Sequence, residues 1–154
     1  AREGMGFQSQ IDSDCAAVSN IVQSLINAEI EIHCMRDLTR GGLATALVEI
    51  AQTSGVSINI TELEIPVRED VKGACEILGL DPLYVANEGQ FVVFVKAEHA
   101  KQALEIIQSD PLGSQARIIG SVEKSLQETV ILTTKIGTSR ILDMLSGEQL
   151  PRIC

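Results

Sequence analysis

The stretch that decides the fold runs from residue 30 to residue 60 and reads IEIHCMRDLTRGGLATALVEIAQTSGVSINI. Its first five residues alternate between apolar and polar types, which predicts a half-buried strand. MRDLTRGG then predicts a loop. Residues 43–53 carry alanines and larger aliphatic residues at helical spacing, which predicts a closely packed helix that ends at Ser54 and Gly55. VSINI alternates again, so the stretch predicts a strand, a loop, a helix and a second strand.

Helices and strands continue to interleave in the rest of the chain. Further helices are predicted at residues 12–27, 68–78 and 97–108, and further strands at residues 90–95, 117–122 and 129–134. The run QFVVFV predicts a buried central strand, since nearly all of its residues favour β-structure. The last two strands predict a hairpin. The order of elements predicts an α+β domain, layered α/β/α, with a mixed and mostly antiparallel sheet over residues 1–145. Residues 146–154 are predicted to form a flexible tail.

Composition narrows the class of protein. The chain has 154 residues, enough for one domain with a core of its own. Its formal net charge of −9 argues against a nucleic-acid or anionic-membrane surface, which would need basic patches. No apolar run approaches the roughly 20 residues that span a bilayer. We therefore expect a cytoplasmic protein, and the start on Ala1 without a leader pattern suggests a piece of a longer chain.

The four cysteines form no CxxC pair and lie in no histidine cluster, so no metal site is predicted. Cys15, Cys34 and Cys75 occupy apolar positions in periodic segments, which predicts small buried side chains in a reducing compartment. Cys154 differs, since it ends the chain in the tetrapeptide PRIC. A thiol on a mobile tail suits an acceptor or carrier better than a fixed catalytic nucleophile, which needs held geometry.

The first loop that could carry chemistry is RDLTRGGL, residues 36–43. Glycines at a helix start leave backbone N–H groups open to an anion, and Arg40 adds positive charge there. The alternative is a tight connection between a strand and a helix, in which Gly41 and Gly42 only relieve backbone strain. Both interpretations fit the local sequence.

The second such loop is Asn87-Glu88-Gly89, immediately before the QFVVFV strand. A carboxylate at a strand edge beside glycine can enter a cleft and act as a base. The alternative is an ordinary turn in which Glu88 is solvated. The local sequence leaves both interpretations open.

Three motifs together carry a family resemblance: DLTRGGLATALVEIAQ, LGLDPLYVANEGQFV and the terminal GEQLPRIC. They resemble the C-terminal half of the HypE family of hydrogenase maturation proteins. The TRGG and NEG motifs are shared more loosely with the wider family of aminoimidazole ribonucleotide (AIR) synthetase and selenophosphate synthetase, the PurM-like family. The terminal cysteine distinguishes the maturation branch. The resemblance implies a fold like the C-terminal domain of PurM-like proteins.

The resemblance also implies an ATP-dependent carbamoyl dehydratase that makes the cyanide ligands of [NiFe]-hydrogenase iron. In that family the carbamoyltransferase HypF carbamoylates the terminal cysteine, the S-carboxamide is dehydrated to a thiocyanate, and the cyano group passes to iron on the HypC–HypD scaffold. Carried over by motif, Cys154 is the carrier, Glu88 is the base candidate and Asn87 supports Glu88. The residues that would border the nucleotide cleft are Asp37, Thr39, Arg40, Gly41 and Gly42.

By the same resemblance, an N-terminal half supplies most ligands of ATP and Mg²⁺ and carries the contact of a homodimer. We therefore expect these 154 residues alone to bind neither ATP nor Mg²⁺ and to be inactive in dehydration. Two alternatives remain open. One is a phosphoryl-transfer enzyme of the selenophosphate synthetase or AIR synthetase type, and the other is a partner-docking module without activity of its own.

Overall fold

A computed structural model of the protein describes residues 11–144. Its α-helices are α1 (Ser19–Asn27), α2 (Gly42–Ser54), α3 (Glu69–Leu78) and α4 (Ala100–Gln108). Its strands are β1 (Ile32–Asp37), β2 (Val56–Thr61), β3 (Phe91–Val95), β4 (Gly120–Lys124), β5 (Val130–Thr133) and β6 (Ser139–Leu142). The predicted α+β class is confirmed. The predicted boundary between residues 145 and 146 lies outside the described residues.

The larger sheet has the strand order β4-β2-β5-β6 and carries α2 on one face. Strands β2 and β5 are parallel, and the other two pairings are antiparallel, which confirms the mixed, mostly antiparallel sheet. Ile58 and Ile60 of β2 alternate with polar residues, so both point at the same core as Leu132 and the fully buried Leu47 of α2. Removal of this apolar surface from water is the main force that holds α2 on the sheet.

The predicted hairpin of the last two strands is wrong. Strands β4 and β5 lie on opposite sides of β2, and the hairpin is formed by β5 with β6, a strand that the sequence pattern did not reveal. Residues 125–129 connect β4 to β5 past the start of β2. Five extended residues suffice for this, because stepping over one strand needs about 10 Å. Strand β6 escaped prediction because, of its four residues, only Leu142 is buried.

The smaller sheet pairs β1 with β3 antiparallel and lies between two helical layers. Val92 and Phe94 pack against the core of α2, whereas Met35 and Val95 pack against the core formed by α1 and α4. This arrangement matches the predicted α/β/α layering. It also explains the unbroken apolar run of β3, since both of its faces meet helices. The prediction of a central strand is wrong, however, because within the described residues β3 pairs with β1 alone.

Helix α1 begins at Ser19 and not near residue 12, as the spacing predicted. Residues 11–18 form no helix and lie partly against the loop that precedes β3. The prediction for the cysteines is correspondingly wrong at Cys15, which is exposed, while Cys75 is buried as expected. Within residues 11–144, no helix is both long enough and apolar enough to cross a membrane.

The thiols of these two cysteines are expected to differ in reactivity. Burial in α3 raises the pKa of Cys75, and the negative charge of Asp81 adds to the increase. Since the thiolate is the reactive form, Cys75 is expected to resist iodoacetamide at pH 7 while exposed Cys15 is alkylated first. Mass spectrometry of digested time points measures both rates. Equal rates in the folded protein would contradict the prediction, and equal rates in urea serve as the control.

Candidate functional site

The two loops that the sequence singled out lie side by side at one end of the β1–β3 sheet. The antiparallel register sets Asp37 opposite Phe91, so the end of β1 meets the start of β3. Just beyond this pair, the backbone N–H of Leu38 donates to the carbonyl of Gln90 (3.2 Å), and the N–H of Asn87 donates to the carbonyl of Leu38 (2.9 Å). The buried side chain of Leu38 anchors the junction in the core of α2. The peptide groups of one residue thus hold the second loop on both sides of the Glu88-Gly89 pair.

The Glu88 side chain is exposed at this junction. Within the described part of the chain, its carboxylate has neither a hydrogen bond nor an ion pair. The predicted support from Asn87 is indirect, because the Asn87 amide donates to the carbonyl of Val85 (2.9 Å) and so orders the loop. Glu88 is therefore a carboxylate with an anchored backbone and an exposed side chain.

The TRGG loop places two glycines in left-handed conformations where α2 begins. Gly41, at the N-cap, has a φ of 76°, and Gly42 has a φ of 60°. The N–H of Gly42 donates to the carbonyl of Thr39 (3.1 Å), while no described side chain caps the helix. The glycines thus relieve strain, as one interpretation holds, and they also leave N–H groups of the first turn uncapped, as the other requires.

Charge at this loop comes from Arg40 and Asp37, which behave differently. Arg40 is exposed and has no ion-pair partner among residues 11–144, so its guanidinium can meet an anion. Asp37 lies 3.7 Å from the Nε of Arg36, whose Nη2 lies closer to Glu49, at 2.8 Å. The combination of Arg40 with uncapped N–H groups fits an anionic phosphate.

Thr45, one turn into α2, is a residue that the sequence analysis missed. Its hydroxyl is buried, has no hydrogen-bond partner among residues 11–144, and lies directly beneath the position that a Cβ of Gly41 would occupy. An unsatisfied buried hydroxyl costs about 1–3 kcal/mol, which makes a bound water or ligand at this point favourable. A threonine in an otherwise apolar helical stretch could have revealed it.

The start of α2 also packs closely against the segment before the second loop. A Cβ at Gly42 would lie 2.6 Å from the carbonyl oxygen of Leu83 and 2.5 Å from that of Val85.

In residues 11–144, no three or more His, Cys, Asp or Glu side chains are arranged to hold a metal ion. Arg40 and the uncapped N–H groups of α2 therefore fit a phosphate, whereas Mg²⁺ would need ligands from outside the described residues.

Comparison with known proteins identifies the family. The model of the family described as "AIR synthase related protein, C-terminal domain" matches residues 4–133. The chain belongs to the AIR synthase related family. Both loops of the candidate site lie within the matched range, and the expected PurM-like fold is confirmed.

Individual members of the AIR synthase related family resemble the chain along nearly its whole length. Carbamoyl dehydratase HypE of Azotobacter vinelandii is 50% identical over 153 residues, which cover 99% of this chain and 45% of that protein. The solved structure of hydrogenase maturation protein HypE in complex with ATP matches with a TM-score of 0.91 and 41% identity, over 99% of this chain and 47% of that one. A HypE–HypF complex structure matches with a TM-score of 0.85 and 45% identity, over 94% of this chain and 47% of the other. The chain thus spans about half the length of the relatives it matches, and Cys154 lies outside its described residues.

Proposed function

We propose that this chain is the C-terminal half of a carbamoyl dehydratase of the HypE type, which converts the carbamoylated thiol of Cys154 to a thiocyanate at the expense of ATP. The observation that carries the proposal is 50% identity to a carbamoyl dehydratase HypE along 99% of the chain. Similarity of this extent spans nearly the whole chain and is not confined to a short motif.

The proposed reaction removes one oxygen and two protons from an S-carboxamide. The sulfur–carbon bond stays intact, the carbon–oxygen double bond is broken, and the carbon–nitrogen single bond becomes a triple bond. The nitrogen releases its two protons in turn to the base, which passes them to water. ATP, when bound, supplies the phosphoryl group with which the oxygen departs. Arg40 and the uncapped N–H groups of α2 suit the phosphates, because both attract negative charge. They would orient the anion beside the loop that carries the base.

Glu88 is the proposed base. Its exposed carboxylate, without partners among residues 11–144, can approach the carboxamide and accept a proton from the amide nitrogen. The backbone hydrogen bonds of Leu38 hold the loop while the proton moves. The side-chain amide of Asn87 orders the same loop through its hydrogen bond to the carbonyl of Val85. Asp37 and Thr39, with Gly41 and Gly42, would form the border of the nucleotide cleft.

We propose further that HypF delivers the carbamoyl group and that the HypC–HypD scaffold receives the cyano group. The first partner is supported by the solved complex of HypF with a HypE that is 45% identical to this chain. Mg²⁺ would accompany ATP, with its ligands in the N-terminal half, and that half would also form a homodimer. A reducing cytoplasm would suit the reaction, since the carrier thiol must stay free.

The test supplies HypF, carbamoyl phosphate and ATP to two proteins: these 154 residues alone, and a full-length protein that contains them. Mass spectrometry of the C-terminal peptide then follows Cys154. We expect the carbamoyl group on Cys154 in both proteins and the thiocyanate in the full-length protein alone, because the nucleotide site needs both halves. Cys154→Ser in each protein is the matched control and should carry neither group.

Two outcomes would contradict the proposal. A full-length protein that is never carbamoylated on Cys154 would remove the carrier role. Hydrogenase maturation that proceeds unimpaired with Cys154→Ser would instead favour a phosphoryl-transfer enzyme of the selenophosphate synthetase or AIR synthetase type.

A further inference from the structure

Residues 11–18 cross the loop that carries Glu88. The Oδ2 of Asp14 accepts a hydrogen bond from the backbone N–H of Glu88 at 3.0 Å. In addition, a Cβ on Gly89 would overlap the carbonyl oxygen of Asp14 and lie 2.8 Å from the backbone nitrogen of Ala16. The segment thus touches the loop through both a side chain and its main chain.

The Asp14 contact completes the anchoring of the Glu88 backbone. Leu38 binds the neighbouring residues Asn87 and Gln90, but it leaves the N–H of Glu88 itself without a partner from β1. Asp14 supplies that partner from a part of the sequence 74 positions away. With all three contacts in place, the peptide group that precedes Glu88 is held by Asp14 and the loop is held at Asn87 and Gln90, which restricts the direction in which the Glu88 side chain leaves the backbone.

We propose that Asp14 is a positioning residue for Glu88, and that Gly89 is glycine so that the Asp14 segment can lie against the loop. The proposal rests on the proposed function, in which Glu88 is the base. Asp14 acts through the backbone of Glu88 and does not itself take a proton from the substrate. Its effect follows from geometry, since displacement of a reacting group by about 1 Å can lower a rate as much as 100-fold.

Substitutions at position 14 distinguish the effect of the hydrogen bond to the Glu88 N–H from the effect of the negative charge of Asp14. Asparagine retains an oxygen that can accept from the Glu88 N–H but carries no charge, whereas alanine removes both. If position matters, Asp14→Asn keeps activity and Asp14→Ala loses it. Asp12 lies two residues away in the same exposed segment and has no described contact with Glu88, so Asp12→Ala is the matched control.

The first measurement is single-turnover dehydration by the full-length protein after carbamoylation of Cys154. We expect Asp14→Ala to lower the rate about tenfold, with an unchanged KM for ATP, while Asp14→Asn and Asp12→Ala stay within about twofold of the parent. Gly89→Ala should reproduce the loss seen with Asp14→Ala, because its methyl group displaces the same segment. Parent-like rates for both Asp14→Ala and Gly89→Ala would overturn the proposal, as would equal losses for Asp14→Asn and Asp14→Ala.

The second measurement does not depend on activity. The chemical shift of the Glu88 amide proton, measured by NMR at neutral pH, is expected to report the hydrogen bond to Asp14. It should shift in Asp14→Ala and stay near the parent value in Asp14→Asn and Asp12→Ala. A Glu88 amide that ignores position 14 would overturn the positioning role even if dehydration is observed. A shift that follows Asp14 in a protein without dehydratase activity would instead count against the proposed function alone.

Discussion

Replacement of Glu88 by glutamine is expected to slow dehydration of the S-carboxamide by about 10²- to 10⁴-fold in the full-length protein, the usual contribution of a positioned base. Glutamine has nearly the same shape but cannot accept the amide proton. Since Glu88 has no described partner to lose, the fold and the first step, carbamoylation of Cys154, should be unaffected. The measurement is the rate at which the carbamoylated C-terminal peptide becomes the thiocyanate, followed by quenched mass spectrometry.

The control for this experiment is Glu76→Gln, which makes the same chemical change at an exposed position of α3. It should leave both steps at the parent rate. If Glu88→Gln dehydrates within about twofold of the parent protein, Glu88 is not the base, whereas Cys154 could still be the carrier. A loss at the carbamoylation step would show instead that the loop contributes to HypF recognition.

Replacement of Gly42 by alanine is expected to destabilise the domain by about 3 kcal/mol. About 1–3 kcal/mol of this comes from a non-glycine residue at a φ of 60°. A further contribution of about 1–3 kcal/mol comes from overpacking against the carbonyl oxygens of Leu83 and Val85, which belong to backbone and cannot rotate away. Thermal unfolding should show a midpoint lower by about 6–12 °C for a chain of this size.

Gly73→Ala is the matched control, because Gly73 lies inside α3 with an ordinary φ and open space where a Cβ would be placed. Alanine there should raise stability by about 0.5–1 kcal/mol, since it favours the helix. Equal midpoints for the two variants would show that α2 does not begin in the left-handed geometry described above.

Features that depend on local chemistry were predictable from the sequence. The end of α2 follows from Gly55, which takes the left-handed C-cap conformation. The relief of backbone strain by Gly41 and Gly42 could be predicted from their place between a strand and a helix, and both glycines have a positive φ. The two candidate loops were both recognised, and the family resemblance assigned them to one site.

Features that depend on contacts distant in sequence were not predictable. The spacing predicts a helix from residue 12, yet α1 begins at Ser19 and the Asp14 carboxylate accepts a hydrogen bond from the Glu88 N–H, a tertiary contact that no local pattern encodes. The position of β5 depends on its parallel pairing with β2, which no local pattern encodes. Thr45 stands out in the sequence as a threonine in an apolar stretch, but the burial of its hydroxyl without a partner among the described residues follows only from the placement of the first turn of α2.

The double role of Leu38 has a consequence for motion during catalysis. Its peptide groups join the loop that carries Glu88 to the end of β1, and its buried side chain joins that junction to the core of α2. Separating the two loops would break two backbone hydrogen bonds and expose part of the core. We therefore expect the two loops to move together as one rigid unit. Amide hydrogen exchange at Leu38 would report the opening of the whole site.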